Sequence, residues 1–174
     1  MTSPVVPPRE GDPGGPSAAK RTDYAGAVYG SMLAASVVAT AGVVGAYPRI
    51  QLAVMLIVTG LVFWCAHVYA RLAGERLVGQ GITWRETRRV AGHEWSIVEA
   101  AILPAAVVLV SPALGLGLAG TAWLALGVAV AQQVVWAFMG AVRAGASRRQ
   151  AAVEGLANLA LGLIIVAAKA ALGH

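Results

Sequence analysis

Five long runs of apolar residues, separated by short polar connections, make up most of this 174-residue sequence. A helix with a rise of about 1.5 Å per residue needs about 20 residues to cross roughly 30 Å of hydrocarbon. Each run is close to that length, and only helices satisfy the backbone of such runs in lipid. The pattern predicts an all-α integral membrane protein with spans over residues 24–47, 50–72, 95–114, 121–142 and 150–172.

The first 22 residues have a different composition, rich in Pro, Gly and Ser, with no apolar periodicity. Such a segment cannot bury enough apolar surface to offset its ordering entropy, so we predict a disordered cytoplasmic tail over residues 1–22. No cleaved signal peptide is indicated, and the first span serves as the insertion signal. Residues 23–174 then form one transmembrane domain, with a basic cytoplasmic connection over residues 73–94.

The composition agrees with a membrane protein. Hydrophobic residues make up 58% of the chain, charged residues 12%, and the mean hydropathy is +0.71, whereas soluble domains carry about 25% charged residues. Gly26, Gly30 and Ala34 recur every four residues in the first span, and small residues let membrane helices approach closely. A five-helix bundle also has little interior, so we expect a homo-oligomer or a complex with a membrane partner.

The basic residues predict the orientation, because Lys and Arg concentrate on the cytoplasmic side of membrane proteins. Only Arg49 and Lys169 fall on the opposite side. We therefore place the N-terminus in the cytoplasm, the C-terminus outside, and the chain in the cytoplasmic membrane. The basic residues on the cytoplasmic side are Arg9, Lys20, Arg21, Arg71, Arg76, Arg85, Arg88, Arg89, Arg143, Arg148 and Arg149.

The net charge of +5 is therefore interpreted as topology and headgroup contact rather than nucleic-acid binding. Between the second and third spans, Trp84 is a candidate interfacial anchor. Arg85, Arg88 and Arg89 beside it are candidate contacts for anionic headgroups of the inner leaflet.

Depth within the spans gives the candidate site. Three ionisable residues on three spans lie about one turn inside the cytoplasmic interface, and amides lie deeper. Ionisable residues within spans are costly and usually face the bundle interior, so this layer is a candidate ion or proton site. Its members are Glu99, Glu154, His67, Asn158, Gln132 and Gln133.

A structural interpretation of the same layer stays open. Residues one turn inside reach interfacial water, and Glu99 or Glu154 could simply pair with a nearby base and fix helix packing. His67 is either a proton relay or a packed, hydrogen-bonded residue. Gln132 and Gln133 either bond across helices or line a path.

Pro104 adds a second element to the site hypothesis. Because proline has no N–H, it frees the carbonyl of Ala100, which is next to Glu99 in the sequence. A free carbonyl beside a carboxylate is able to coordinate a cation, although proline kinks are also common in membrane helices without that role.

Motifs for other chemistries are missing from the sequence. The groups His67, His93, Glu94 and Glu99 have no HxxxH or Cys–His spacing that would indicate zinc, so a metal site stays undefined. No hydrolase elbow, phosphate-binding glycine loop, dinucleotide fingerprint or HExxH motif is present. We expect no enzyme and no cofactor.

The five spans, the cytoplasmic start, the external end and the charged segment between spans two and three resemble the vacuolar iron transporter family. Residues 147–174, SRRQAAVEGLANLALGLIIVAAKAALGH, are similar to that family's closing helix. The resemblance implies metal transport. It assigns no ligands. That family has an Asp-Gly pair in its first span and a glutamate-rich region after its second, whereas here Asp23 is followed by Tyr24 and the connection after span two is short, with more arginine than glutamate. The chain also resembles small membrane proteins of high-GC actinobacteria.

Two functions follow as hypotheses. In the first, the protein is a small cation or proton transporter or channel with an inward-facing polar site. In the second, it is a non-catalytic membrane scaffold or partner subunit whose polar residues only fix helix packing. The first predicts that the polar layer converges on one cavity, and the second predicts that it is divided among interhelical pairs.

Overall fold

The computed structural model describes residues 24–44, 48–74 and 83–172, so the predicted disorder of residues 1–22 lies outside the described residues. Helix is the only regular secondary structure in these ranges. The helices are α1 (Tyr24–Val44), α2 (Arg49–Gly74), α3 (Trp84–His93), α4 (Ser96–Val110), α5 (Leu118–Arg143) and α6 (Arg148–Leu172), with a 3-10 turn over Ser111–Leu114.

Five segments of the described chain are long and apolar enough to cross a membrane: α1, α2, α5, α6, and α4 taken together with the 3-10 turn that follows it. The ten-residue α3 is not among them. The all-helical fold and the five candidate spans are therefore confirmed for the described part of the chain. The orientation and the assignment to the cytoplasmic membrane remain predictions.

α1, α4 and α5 form the centre of the bundle. α1 packs mainly against α5 and α4, α2 packs mainly against α4, and α6 packs mainly against α5. Half of the first span is buried, compared with 17% of the last, so α6 is an edge helix. The central contacts involve the buried side chains of Val38, Leu56, Val108 and Leu126.

Glycine allows the closest of these approaches. A Cβ atom on Gly30 of α1 would lie 2.7 Å from the carbonyl oxygen of Ile97 in α4. A Cβ on Gly162 of α6 would lie 2.5 Å from Cγ1 of Val130 in α5. Both distances are below any normal contact, so larger residues at these positions would force the helices apart.

α3 is a separate helix within the connection that the sequence pattern identified only as a basic segment. It begins after Thr83, whose hydroxyl oxygen accepts a hydrogen bond from the backbone N–H of Glu86 at 3.3 Å. Its one buried side chain, Val90, packs against Val68 and Leu72 of α2. We call this end of the bundle the α3 end, and the end where α2 begins the Arg49 end.

Candidate functional site

Gln132 joins the three central helices. Its Nε2 donates to the carbonyl oxygen of Ala100 in α4 at 3.1 Å and to Oγ of Ser31 in α1 at 3.3 Å. The Ala100 carbonyl lies four residues before Pro104, which has no N–H to donate to it. The carbonyl freed by the proline therefore has a protein partner, the amide of a glutamine on the neighbouring helix.

Gln133 makes the corresponding contact with α6. It is fully buried, and its Nε2 donates to Oδ1 of Asn158 at 3.2 Å and to the Asn158 carbonyl oxygen at 3.1 Å. Asn158 Nδ2 in turn donates to the carbonyl oxygen of Glu154 at 3.0 Å. The two neighbouring glutamines thus bond to different helices rather than to one shared centre.

The two acids of the candidate site point elsewhere. Glu99 lies on the exposed face of α4, opposite the buried residues Ile97, Ala101 and Val108. The side chain of Glu154 is exposed on α6. Among the residues of the candidate site, the interior contacts therefore belong to the amides, and the two carboxylates lie on the outer surface of the bundle.

His67 of α2 is half-buried and contacts both its own helix and α1. Its Nδ1 lies 3.1 Å from the carbonyl oxygen of Phe63, one turn earlier. Its ring centroid is 4.9 Å from that of Tyr29. Both contacts are those of a packed residue. Within the described ranges, no group of three or more His, Cys, Asp or Glu side chains is placed to hold a metal ion.

Glu94 is the buried acid that sequence reasoning did not select. It lies in the turn between α3 and α4 with 2% of its side chain exposed, and its Oε1 is 2.9 Å from Nε of Arg71 in α2. The angle does not make this contact a well-formed hydrogen bond, so it is a close ion pair only. No spacing in the sequence distinguishes Glu94 from Glu99, because the turn that buries it depends on where α3 ends.

The candidate headgroup residues lie on the outer side of α3. Trp84 is 80% exposed, Arg85, Arg88 and Arg89 are exposed, and the buried Val90 is on the opposite face.

Trp64 of α2 holds the C-terminal end of α3. Its Nε1 donates to the carbonyl oxygen of Ala91 at 2.8 Å, and its ring meets that of Trp95 edge-on at 5.3 Å. The exposed face of α3 is therefore held in a defined position.

The Arg49 end contains a second polar network. Arg49 Nε donates to Oγ of Ser111 at 3.0 Å, and its guanidinium also donates to the carbonyl oxygen of Leu116. Oγ1 of Thr121 donates to the same Ser111 oxygen at 2.8 Å. These bonds tie the start of α2 to the connection between α4 and α5.

Lys169 is a second basic side chain at that end. It is 7% exposed, and its Nζ donates to the carbonyl oxygens of Val38 and Ala39 in α1, each at 3.3 Å. The ammonium also lies 5.6 Å from the centre of the Trp123 ring. These contacts hold α6 against α1.

These contacts define an all-helical protein with five helices able to span a membrane and with its interior polar groups divided among separate contacts. No family model matches the chain, and no curated protein or solved structure was found to match it. The resemblance to the vacuolar iron transporter family therefore stays a prediction from the sequence.

Proposed function

We propose that the protein is a non-catalytic membrane scaffold that assembles with further copies of itself through the outer face of α4. The observation that carries this proposal is the position of Glu99. The amides inside the bundle bond to neighbouring helices, whereas Glu99 lies on a face that no other part of the described chain covers.

The outer face of α4 is otherwise apolar. Ile102, Leu103, Leu109 and Val110 are each about half exposed, between 49% and 56%. A carboxylate facing lipid costs about 2.5–3.5 kcal/mol at the bilayer centre and less near the interface. A neighbouring helix with a basic group at the same level would remove that cost and cover the apolar residues.

A second copy of this chain supplies the basic group. The α3 end carries several exposed arginines. In a two-fold assembly every contact occurs twice: residue i of the first copy meets residue j of the second, and residue j of the first copy meets residue i of the second. Each Glu99 is therefore able to meet an arginine of its neighbour. The exposed arginines at this end are Arg85, Arg88, Arg143, Arg148 and Arg149.

Cysteine cross-linking in liposomes tests this interface. In a Cys65→Ala background, Ala106→Cys places a thiol in the middle of the outer face of α4, and Ala160→Cys places one on the outer face of α6. We expect disulfide-linked dimers from Ala106→Cys and few from Ala160→Cys.

A charge reversal extends the test. Glu99→Lys added to the Ala106→Cys chain should reduce the yield of dimers several-fold, and Glu154→Lys, the matched control, should not. Equal cross-linking from both cysteines, or a yield that ignores Glu99→Lys, would contradict the α4 interface. Cation or proton flux that Glu99→Gln abolishes without unfolding would replace the scaffold with the transporter hypothesis.

A further inference from the structure

Several buried polar atoms have no hydrogen-bond partner within the described part of the chain. Three of them, on α4 and α5, are Oγ of Ser96, Oε1 of Gln132 and Nε1 of Trp136. Ser96 is 5% exposed, so its hydroxyl is not reached by bulk solvent in this arrangement. A buried donor or acceptor without a partner is costly, and native structures almost always supply one.

Ser96 and Trp136 lie at one level of the bundle, one helical turn from the amide of Gln132. α4 and α5 are joined by the short connection over residues 111–117 and pack against each other, so they run antiparallel. The bond from Gln132 to the Ala100 carbonyl fixes their register. One helical turn from this bond toward the α3 end lie Ser96 on α4 and Trp136 on α5.

Exchanging the amide nitrogen and oxygen of Gln132 does not give its unpaired oxygen a partner. Its Nε2 faces the Ala100 carbonyl oxygen, which accepts only, so exchanging the amide N and O would place two acceptors against each other. Oε1 of Gln132 is therefore an acceptor without a donor. The indole N–H of Trp136 is a donor without an acceptor, and the Ser96 hydroxyl is able to play either part.

We propose that Ser96, Gln132 and Trp136 form a binding site for water between α4 and α5. A water molecule accepts from the indole N–H and donates to the amide oxygen, and the serine hydroxyl gives it a third partner. Buried waters typically make about three hydrogen bonds to otherwise unpaired groups. The indole N–H only donates and the amide oxygen only accepts, so the site fits a small molecule that is able both to accept and to donate, as water is.

The site is independent of the proposed α4 interface, because it lies on the packed side of α4 and Glu99 lies on the outer side. Water would enter from the α3 end, where Ser96 follows directly after the half-exposed Trp95. Failure of either proposal leaves the other standing.

Solid-state NMR on the ¹⁵N-tryptophan-labelled protein in liposomes tests the site. The experiment measures magnetisation transfer from water protons to each indole N–H, with the Trp136 signal assigned by Trp136→Phe. The reference is Trp64, whose indole N–H is bonded to the Ala91 carbonyl. We expect transfer to Trp136 at least as fast as to Trp64, and a several-fold loss of that transfer in Ser96→Ala. Slower transfer to Trp136 than to Trp64 would overturn the proposal.

The unfolding midpoint of Ser96→Ala gives a second test, because a hydrated site and a dry site predict shifts of opposite sign. If the site holds water, Ser96→Ala removes a partner of that water and lowers the unfolding midpoint. If the site is dry, the same change removes an unpaired buried hydroxyl and raises the midpoint. Ser36→Ala is the control, since the Ser36 hydroxyl is exposed and bonds within its own helix to the Met32 carbonyl.

Discussion

At the Arg49 end, the basic side chains of Arg49 and Lys169 donate to neutral oxygens. At the α3 end, the buried Glu94 is paired with a charged partner, Arg71, while Glu99 and several arginines stay on the surface. Both ends of one bundle thus contain charged groups, but among the residues that the structure describes only the α3 end has charges of both signs on the outside.

The difference shows what each end is able to do. At the Arg49 end, the oxygens that accept from Arg49 and Lys169 belong to the described chain itself. Exposed acids and bases at the α3 end are available to another molecule. Intermolecular contact through charge is therefore expected at the α3 end, which is where we place the scaffold interface.

Arg71→Ala should have the largest effect on stability. It leaves Glu94 buried and unpaired, which costs about 3–5 kcal/mol for a fully buried pair. Because Arg71 is 48% exposed, we expect a smaller loss, about 2–3 kcal/mol, in the free energy of unfolding in detergent.

Glu94→Gln is the partner change for this experiment. In the Arg71→Ala background it should recover part of the loss, since a neutral amide needs no counter-ion. A double-mutant cycle gives the coupling energy between the two residues. A coupling near zero would mean that the pair does not hold α2 to the α3–α4 turn.

Thr121→Val tests the neutral network at the Arg49 end, with an intermediate effect. Thr121 is 1% exposed, and valine keeps its shape but loses the hydrogen bond to Ser111. We expect a loss of about 1 kcal/mol in the free energy of unfolding. Thr40→Val is the matched control, because the Thr40 hydroxyl bonds only within its own helix, to the Ser36 carbonyl. Equal losses in the two variants would show that the hydrogen bond between Thr121 and Ser111 does not stabilise the Arg49 end.

Lys169→Met should have the smallest effect. The carbonyls of Val38 and Ala39 lie within α1, whose backbone N–H groups also bond to them, and methionine fills the space of the lysine stem. The contact with Trp123 is lost, so we expect a change below about 1 kcal/mol in the same unfolding measurement. A loss as large as that of Arg71→Ala would show that the two ends depend equally on charge.

The fold was largely predictable because apolar length alone identifies a membrane helix. Its five long helices begin and end near the predicted positions. α3 was missed, although its signal is present: Thr83 followed three residues later by Glu86 is a capping box, which marks the start of a helix. The basic charge of this segment indicates headgroup contact and says nothing about a helix boundary.

The direction of the candidate site residues was not predictable in the same way. Depth follows from counting residues, so the level of Glu99 was accessible to sequence reasoning. The face of the helix was not, because Ile102 and Leu103 on the outside of α4 are as apolar as Ile97 and Val108 on the inside. When the solvent is hydrocarbon, hydrophobicity alone does not separate the packed face from the exposed one. Only the small residues that favour close helix contact, here Ala100, Ala101 and Ala105, mark the packed face of α4. The freed carbonyl of Ala100 was predicted, but its partner Gln132 depends on the register of two helices.

The bond between Gln132 and Ala100 has a consequence for how the chain enters a bilayer during synthesis. α5 carries two adjacent glutamines in its middle, and an amide without a partner is poorly tolerated in hydrocarbon. α4 leaves the ribosome first and presents a carbonyl that its own proline has released from the helix. If α4 enters the bilayer before α5, we expect the acceptor for Gln132 to be in place when α5 arrives, so that the proline of one segment lowers the insertion cost of the next.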